Sequence, residues 1–346
     1  MRLKPNLRHT NTKLLKTACI IFAAALFASC TISAVYASPP ARAEAAPNAD
    51  GFMRGGAPAS KGRGMIFVDT PVYPPSFNDG AATSGNMGKI DTSNLNQGYV
   101  LAKYTGDPSK AAMLYITKGD QKFAFVMDSK GAPGAYTLTW GDGAYKIQVL
   151  QQTSGNKYAV GVSASVNLKL GNNNTPFLTP SQMVRYSASN NAVKEARKLC
   201  GGSATDLDKA AAVVQYMIDN VTYDYNKAAS TAGASINDFI PDVDKTLASN
   251  KGICFDYSVL VACMLRSQGV PTQVVIGYAN SGGSMVYHAW NKVYIANKGW
   301  IAVGLASKEN AWNRTDTTFL AGGKNNLKAM SKIVANDKNY TEEYIF

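Results

Sequence analysis

The sequence predicts an α+β protein in which a small β-sandwich precedes a domain built from a cysteine-bearing helix packed on an antiparallel sheet. Two observations support this fold class. Residues 61–175 consist of short β-type runs separated by turns, whereas helical periodicity begins only after Pro176. Strand-like runs then return from Thr272 onward, after the helices. Helices followed by a block of strands favour an antiparallel sheet over the alternating pattern of a parallel one.

The first 37 residues predict a secretory signal peptide. They contain five basic residues and no acidic residue, and an apolar run at 18–28 precedes the small-residue pattern VYA at 35–37. The apolar run is too short for a stable membrane span. An alternative takes LFASC, which ends at Cys30, as a lipid-attachment site of a lipoprotein. Both alternatives predict a secreted or cell-surface protein, and residues 38–60, rich in Pro, Ala and Gly, predict a linker or disordered tail.

Residues 61–175 predict the β-sandwich. Six runs are rich in β-branched and aromatic residues, and Gly- and Asp-containing turns separate them: GYVLAKY, AAMLYI, KFAFVM, AYTLTW, AYKIQVL and KYAVGVSASVNLKL. Several short strands at this spacing are typical of a sandwich. The region offers no cluster of polar side chains that chemistry would need, so its tyrosines and tryptophans are expected in the core.

The charge of the chain narrows the classes of partner. The full chain carries a formal charge of +12, and residues 38–346 hold 30 basic against 23 acidic residues, a net charge of +7. Such a surplus suits an anionic surface such as a cell wall, and it serves solubility equally well. Because no basic cluster with interleaved aromatic residues occurs, nucleic acid is not expected as a partner. The sequence leaves the oligomeric state open.

Residues 176–346 predict helices followed by strands. Helices are expected at 190–200, after a capping Thr205, at 242–249, and from Phe255 to Gln268. Strands are expected at 272–278 and 286–295 and around Trp300 and Trp312. The long cysteine helix would then pack on the strands that follow it.

A cysteine and a histidine in this second half indicate nucleophilic chemistry. Cys254 stands at the start of the predicted helix, where backbone N–H groups and the positive end of the dipole favour a thiolate. His288, the one histidine after residue 37, follows 34 residues later, and an imidazole is the usual group that activates a thiol. Taken singly, a cysteine is more often buried and a strand histidine merely packed. Together they favour catalysis.

The other cysteines predict neither a disulfide framework nor a metal site. Cys200 closes a helix, and Cys263 lies nine residues beyond Cys254, on the far side of the same helix, so both are expected in the core. Three cysteines in an exported chain are too few and odd in number for a framework. With a single histidine and no ligand spacing, neither a metal nor any other cofactor is expected.

Four segments together resemble the transglutaminase-like proteins, relatives of the papain-type cysteine proteases. They are VVQYMIDNVTYDY, GIC ending at Cys254, LRSQGVP, and HAWNKVY beginning at His288. The likeness covers roughly residues 205–320, and the preceding β region looks like that of secreted Gram-positive members. The resemblance implies that residues 176–346 form a transglutaminase-like, papain-like catalytic domain.

The resemblance also implies a third site residue. In the family an aspartate orients the histidine and usually stands in Trp-x-x-x-Asp-Pro-Thr. Four residues after Trp300 comes Gly304, which cannot orient a ring, whereas four after Trp312 comes Asp316, with Thr317 in place of Pro. We therefore expect residues 301–311 to be an insertion and Asp316 to accept the Nδ1–H of His288. Without Asp316 the site would be a dyad or degenerate.

Two further side chains near the site, those of Trp290 and Asp256, are not expected to be catalytic. Trp290 lies two residues after His288 on the same strand face and fits either a cleft wall or the core. Asp256, two residues after Cys254, is expected to interact with the helix dipole rather than to act as a catalyst.

The resulting functional prediction is acyl transfer on a protein or peptide substrate. Cys254 would attack a carboxamide or peptide carbonyl, backbone N–H groups at the helix start would hold the oxyanion, and His288 would protonate the leaving amine. An amine that resolves the thioester makes a transglutaminase, and water makes a protease. The alternative from another class is a non-catalytic module of the same fold that binds cell-wall or protein ligands.

Overall fold

The computed structural model describes residues 75–302 and 305–346. The predicted signal peptide, Cys30, the predicted linker at 38–60 and Gly304 lie outside these ranges. Within them, no helix is both long and apolar enough to cross a membrane.

The first part of the described chain forms two four-stranded antiparallel sheets. Their strand orders are β1-β2-β3-β6 and β5-β4-β7-β8. The strands are β1 (Ala82–Ser84), β2 (Gly88–Asp91), β3 (Tyr99–Tyr104), β4 (Ala112–Lys118), β5 (Gln121–Val126), β6 (Gly134–Thr137), β7 (Gly143–Ser154) and β8 (Lys157–Leu168).

The two sheets pack on each other through a shared apolar core. Ile90 and Val100 of the first sheet belong to the same buried cluster as Ile147 and Val149 of the second. A Cβ on Gly88 would lie only 2.8 Å from Val149 Cγ1, so the absence of a side chain lets the sheets approach closely. All six predicted runs form strands. Strands β1 and β2 were not predicted, because ATS and GKID lack the apolar and β-branched density of the other runs.

The second part contains the helices. They are α1 (Asn191–Cys200), α2 (Asp206–Asn220), α3 (Tyr225–Ser230), α4 (Val243–Ser249), α5 (Cys254–Arg266), α6 (Thr317–Gly322) and α7 (Leu327–Ala335). Thr205 caps α2 in a capping box with Asp208, as the sequence predicts for the cap, and Asp242 caps α4. Helix α5 begins at Cys254 itself and ends two residues before the predicted Gln268, because Gly269 adopts a left-handed φ of 78°.

A four-stranded antiparallel sheet of order β15-β12-β11-β16 supports helix α5. Every residue of α5 from Phe255 to Arg266 is buried. The remaining strands are β9 (Thr222–Tyr223), β10 (Lys251–Gly252), β11 (Thr272–Ser281), β12 (Ser284–Ile295), β13 (Gly299–Ala302), β14 (Leu305–Ser307), β15 (Ala311–Thr315) and β16 (Tyr340–Ile345). A helix packed on an antiparallel sheet confirms the predicted α+β class.

Several elements of this part were not predicted. Helix α3 and the short strands β9 and β10 lie between predicted helices, and helices α6 and α7 and strand β16 follow the last predicted strand, β15. The segment predicted as an insertion contributes to a small hairpin, in which β13 pairs with β14. This hairpin separates Trp300 from Trp312 and brings the chain back to the main sheet through β15.

Candidate active site

Helix α5 presents Cys254 as its first residue. Ile253 before it is extended (φ −92°, ψ 175°), so the helix starts abruptly and the first N–H groups have no acceptor within the helix. Cys254 is partly exposed, whereas Cys200 and Cys263 are buried. Burial raises the pKa of Cys200 to about 11 and also raises the pKa of Cys263. Of the cysteines in the described ranges, Cys254 is therefore the one placed to react.

Strand β12 places His288 beside this cysteine. The ring is 5% exposed, lies nearly parallel to the Phe319 ring at a centroid distance of 4.7 Å, and interacts electrostatically with the Cys254 side chain. On its other side, Nε2 lies 2.8 Å from Oδ2 of Asp316. The three residues predicted from the sequence thus form one continuous chain of contacts.

The hydrogen-bonding nitrogen differs from the prediction. Asp316 was expected to accept from Nδ1, but it bonds Nε2, which leaves Nδ1 for Cys254. The sequence alone could not decide between the two nitrogens, because the choice depends on the sides from which Cys254 and Asp316 approach the ring.

Asp316 is fully buried and satisfied by three donors. Besides His288, its Oδ2 accepts from the Tyr340 hydroxyl at 3.0 Å, and Oδ1 accepts from the Phe319 N–H at 3.0 Å. The last bond makes Asp316 the N-cap of α6, and Thr317 is the first helical residue. Proline is favoured at that helix position because the backbone N–H that it lacks would have no partner within the helix, and threonine is also accommodated there.

The charge on His288 follows from its surroundings. Burial lowers the pKa of the ring, but the negative charges of Asp316 and Cys254 and the hydrogen bonds to both raise it more. The net result is a pKa raised from 6.5 to about 10. The arrangement therefore favours an imidazolium near neutral pH.

Two residues of the site, Tyr340 and Phe319, were not predicted from the sequence. Tyr340 belongs to strand β16, which was not predicted, and burial together with Asp316 raises its pKa, so its hydroxyl remains a donor. Phe319 lies three residues after Asp316, a spacing that an N-cap interpretation of Asp316 would have revealed.

Trp290 belongs to the core rather than to a cleft wall. It is 1% exposed and packs with Val275, Ala279 and Tyr340, with a centroid distance of 4.9 Å to the Tyr340 ring. The tryptophan therefore packs against the tyrosine that bonds Asp316.

Asp256 occupies the first turn of α5, as expected. Its carboxylate is buried and accepts from the Ile253 N–H at 2.8 Å and from Lys227 Nζ at 2.7 Å. The ion pair with Lys227, on helix α3, was not predicted. Over residues 75–302 and 305–346, no three His, Cys, Asp or Glu side chains are grouped as metal ligands.

Sequence comparison supports the family resemblance that the fold and the cysteine, histidine and aspartate indicate. Residues 194–305 match the model of the Transglutaminase-like superfamily. This match contains Cys254 and His288 and ends before Asp316. The chain thus carries a transglutaminase-like domain, and the predicted family resemblance is confirmed.

Individual relatives are distant. The chain is 24% identical over 221 residues to YebA of Bacillus subtilis strain 168, an uncharacterized protein, covering 59% of this chain and 28% of YebA. A transglutaminase crystal structure shares 26% identity over 37% of this chain and 29% of its own, with a TM-score of 0.27. A proposed cysteine protease from Cytophaga hutchinsonii shares 14% identity over 68% of this chain and 78% of its own, with a TM-score of 0.33. The chain thus spans less than a third of YebA and of the transglutaminase.

The protonation of His288 gives a direct test of the site geometry. The chain has two histidines, His9 and His288, and a His9→Gln variant assigns their NMR signals. We expect His288 to titrate near the raised pKa of about 10. Asp316→Asn should lower that pKa by at least about one pH unit, because burial lowers the pKa of the ring and the charge of Asp316 no longer raises it.

The same shift has a consequence for stability. The pKa of His288 in the folded protein lies above its unfolded value of 6.5. The stabilisation that the protonated ring gives to the fold is therefore complete below pH 6.5 and is lost as the pH rises towards about 10. An Asp316→Asn protein whose His288 signal titrates like that of the wild type would contradict this account.

Proposed function

We propose that this protein is a cysteine-dependent acyl-transfer enzyme that acts on carboxamide or peptide bonds of proteins or peptides outside the cell. One observation carries the proposal: a buried histidine–aspartate pair contacts a partly exposed cysteine at the start of a helix. The basic, signal-like N-terminal segment supports export, with Cys30 as the alternative lipid-attachment point.

The first half of the reaction forms a thioester on Cys254. The Cys254 thiolate attacks the carbonyl carbon, and the electron pair of the C=O bond moves onto oxygen. N–H groups at the start of α5, which have no acceptor within the helix, would stabilise that oxyanion. Nδ1 of His288 then gives its proton to the departing nitrogen, the C–N bond breaks, and a thioester on Cys254 remains.

The second half restores the cysteine. Neutral His288 takes a proton from the incoming nucleophile, which attacks the thioester carbon and expels the thiolate. Throughout, Asp316 holds the ring through Nε2 and stabilises its positive charge. Water as nucleophile gives hydrolysis, and a primary amine gives an isopeptide-type amide.

A purely binding role explains the site less well. Burying a charged aspartate and a histidine costs desolvation free energy, and a module that only binds ligands gains nothing from that pair at this place. All hydrogen bonds of Asp316 are made within the site. This argues against a degenerate site, which would be expected if Gly304 stood in place of the aspartate.

Product analysis tests the proposal and separates its two forms. The purified protein is incubated with a glutamine-containing protein, with and without a labelled primary alkylamine, and protein blocked with iodoacetamide serves as the blank. Mass spectrometry follows both amine incorporation and new peptide termini. Incorporated amine supports a transglutaminase, and cleaved chains support a protease. If neither appears over a panel of substrates, and the blocked protein binds a cell-wall or protein ligand as well as the free protein, the binding module replaces the proposal.

A further inference from the structure

A charged pair lies against the start of the nucleophile helix and takes no part in the acyl-transfer steps. The Asp256 carboxylate, two residues after Cys254, is 0% exposed, and Lys227 Nζ lies 2.7 Å from its Oδ1. The other oxygen, Oδ2, accepts from the Ile253 N–H at 2.8 Å. Each carboxylate oxygen therefore has its own donor.

The carboxylate fixes the backbone that leads into Cys254. By bonding the Ile253 N–H, Asp256 holds the residue just before the nucleophile in its extended conformation. The close approach needs glycine at the preceding position, since a Cβ on Gly252 would lie 2.6 Å from the Asp256 Cβ. The Gly-Ile-Cys sequence thus lets the aspartate reach back over the start of the helix.

This geometry has an electrostatic cost for the chemistry. A buried carboxylate in the same helical turn as Cys254 repels both the thiolate and an oxyanion formed there. Lys227 offsets that charge, because its ammonium group is in direct contact with the carboxylate and only 34% exposed.

Lys227 is itself held from several sides. Its N–H donates to Oδ1 of Asp224 at 2.8 Å, which caps helix α3. Its ammonium group lies 5.3 Å from the centroid of the Phe239 ring, and that ring packs at 5.7 Å on Phe255, the residue after the nucleophile. The lysine is thus a fixed part of the structure.

Other titratable groups near Cys254 do not replace this charge. On strand β12 these are His288 and Tyr287, and Glu343 of β16 interacts with Tyr287. Burial raises the pKa of Tyr287, so it is uncharged near neutral pH, and burial also raises the pKa of Glu343. His288 is already paired with Asp316.

We propose that Lys227 is a positioning residue of the acyl-transfer site, which neutralises Asp256 so that this carboxylate can order the helix start without opposing negative charge on Cys254. The inference rests on the proposed function. It adds a requirement for a residue on helix α3, outside the cysteine, histidine and aspartate motifs.

The rate at which iodoacetamide labels Cys254, followed on its own peptide by mass spectrometry between pH 5 and pH 10, tests the role of Lys227. In the full-length protein, Lys227→Met is expected to slow labelling on the order of fivefold near pH 6 and to leave the rate unchanged at high pH, where any thiol is ionised. Lys227→Arg should restore the profile. Lys245→Met removes a lysine that is 86% exposed and pairs with Asp242 at 3.6 Å, and it is the matched control.

A double substitution separates charge from structure. Asp256→Asn keeps an oxygen acceptor for the Ile253 N–H but removes the negative charge. Lys227→Met combined with Asp256→Asn should therefore label more like the wild type than Lys227→Met alone. If the double variant is slower than Lys227→Met, or if Lys227→Met matches Lys245→Met, the inference is wrong.

The same assay keeps this inference apart from the proposed function. His288→Ala should slow labelling near pH 6 if the cysteine–histidine pair operates. Labelling that depends on His288 but not on Lys227 overturns only the role of Lys227. Labelling indifferent to both residues removes the activated thiol on which the proposed function depends.

Discussion

Replacing Cys254 with alanine is expected to abolish the acyl-transfer product, with a loss of turnover of about 10⁶-fold, because no covalent intermediate can form without the sulfur. The fold should persist, since the side chain is partly exposed and sits at the first position of helix α5. Turnover is measured with whichever product the amine and cleavage assays reveal, and thermal unfolding is followed by circular dichroism.

Cys263 supplies the matched control on the same helix. It is fully buried and lies nine residues beyond Cys254 along helix α5. Cys263→Ala should therefore lower stability modestly through a small cavity and leave turnover nearly unchanged. If Cys254→Ala retains turnover comparable to Cys263→Ala, the assignment of the nucleophile is wrong.

The turnover of Asp316→Ala should lie between that of Cys254→Ala and that of Cys263→Ala, with a loss of about 10⁴-fold. The nucleophile and the histidine remain, but the ring loses the partner of Nε2 that orients and charges it. This variant should also lose stability, because the Tyr340 hydroxyl and the Phe319 N–H lose their acceptor. Asp316→Asn, which keeps an oxygen for the helix cap, should be the more stable of the two.

The part of the site that the sequence predicted lies in local signals. Cys254 at a helix start and His288 on a strand follow from local patterns, whereas Asp316 follows from the resemblance to the family motif, counted from Trp312. The structure brings Asp316 to His288 because β15 pairs with β12, with Thr315 opposite Asn291, and so delivers the next residue to the histidine strand. The spacing of Trp312 and Asp316 carried that information.

The remaining features of the site depend on contacts between residues far apart in sequence. Tyr340 reaches Asp316 from strand β16, which pairs with β11 at the opposite edge of the sheet. Lys227 meets Asp256 across 29 residues. No periodicity in the sequence records such pairs, because a single lysine or tyrosine on a short element looks like any solvated residue until the fold places it.

The other end of helix α5 carries the feature with the largest expected effect on stability. Arg266 is 1% exposed and has donors directed at three backbone carbonyl groups. Nε donates to Thr272 O at 2.8 Å, Nη1 to Thr179 O at 3.0 Å and Nη2 to Phe346 O at 2.9 Å. The guanidinium therefore joins the end of the helix to the strand that follows it, to the segment after the β-sandwich, and to the residue after β16.

Arg266→Met is expected to lower the free energy of unfolding by about 4 kcal/mol, because methionine fills the space but removes one donor from each of three backbone oxygens, of which Phe346 O keeps the Val274 N–H. For a protein of this size the midpoint of thermal unfolding should fall by about 6 °C. Arg266→Lys keeps the charge, but one ammonium group cannot match the planar three-way geometry, so it should recover only part of the loss. Arg185→Met is the matched control, since Arg185 is exposed and donates to a carbonyl only three residues away. If Arg266→Met unfolds within about 2 °C of Arg185→Met, the buried guanidinium does not hold these segments together, and helix α5 is instead held by its apolar face.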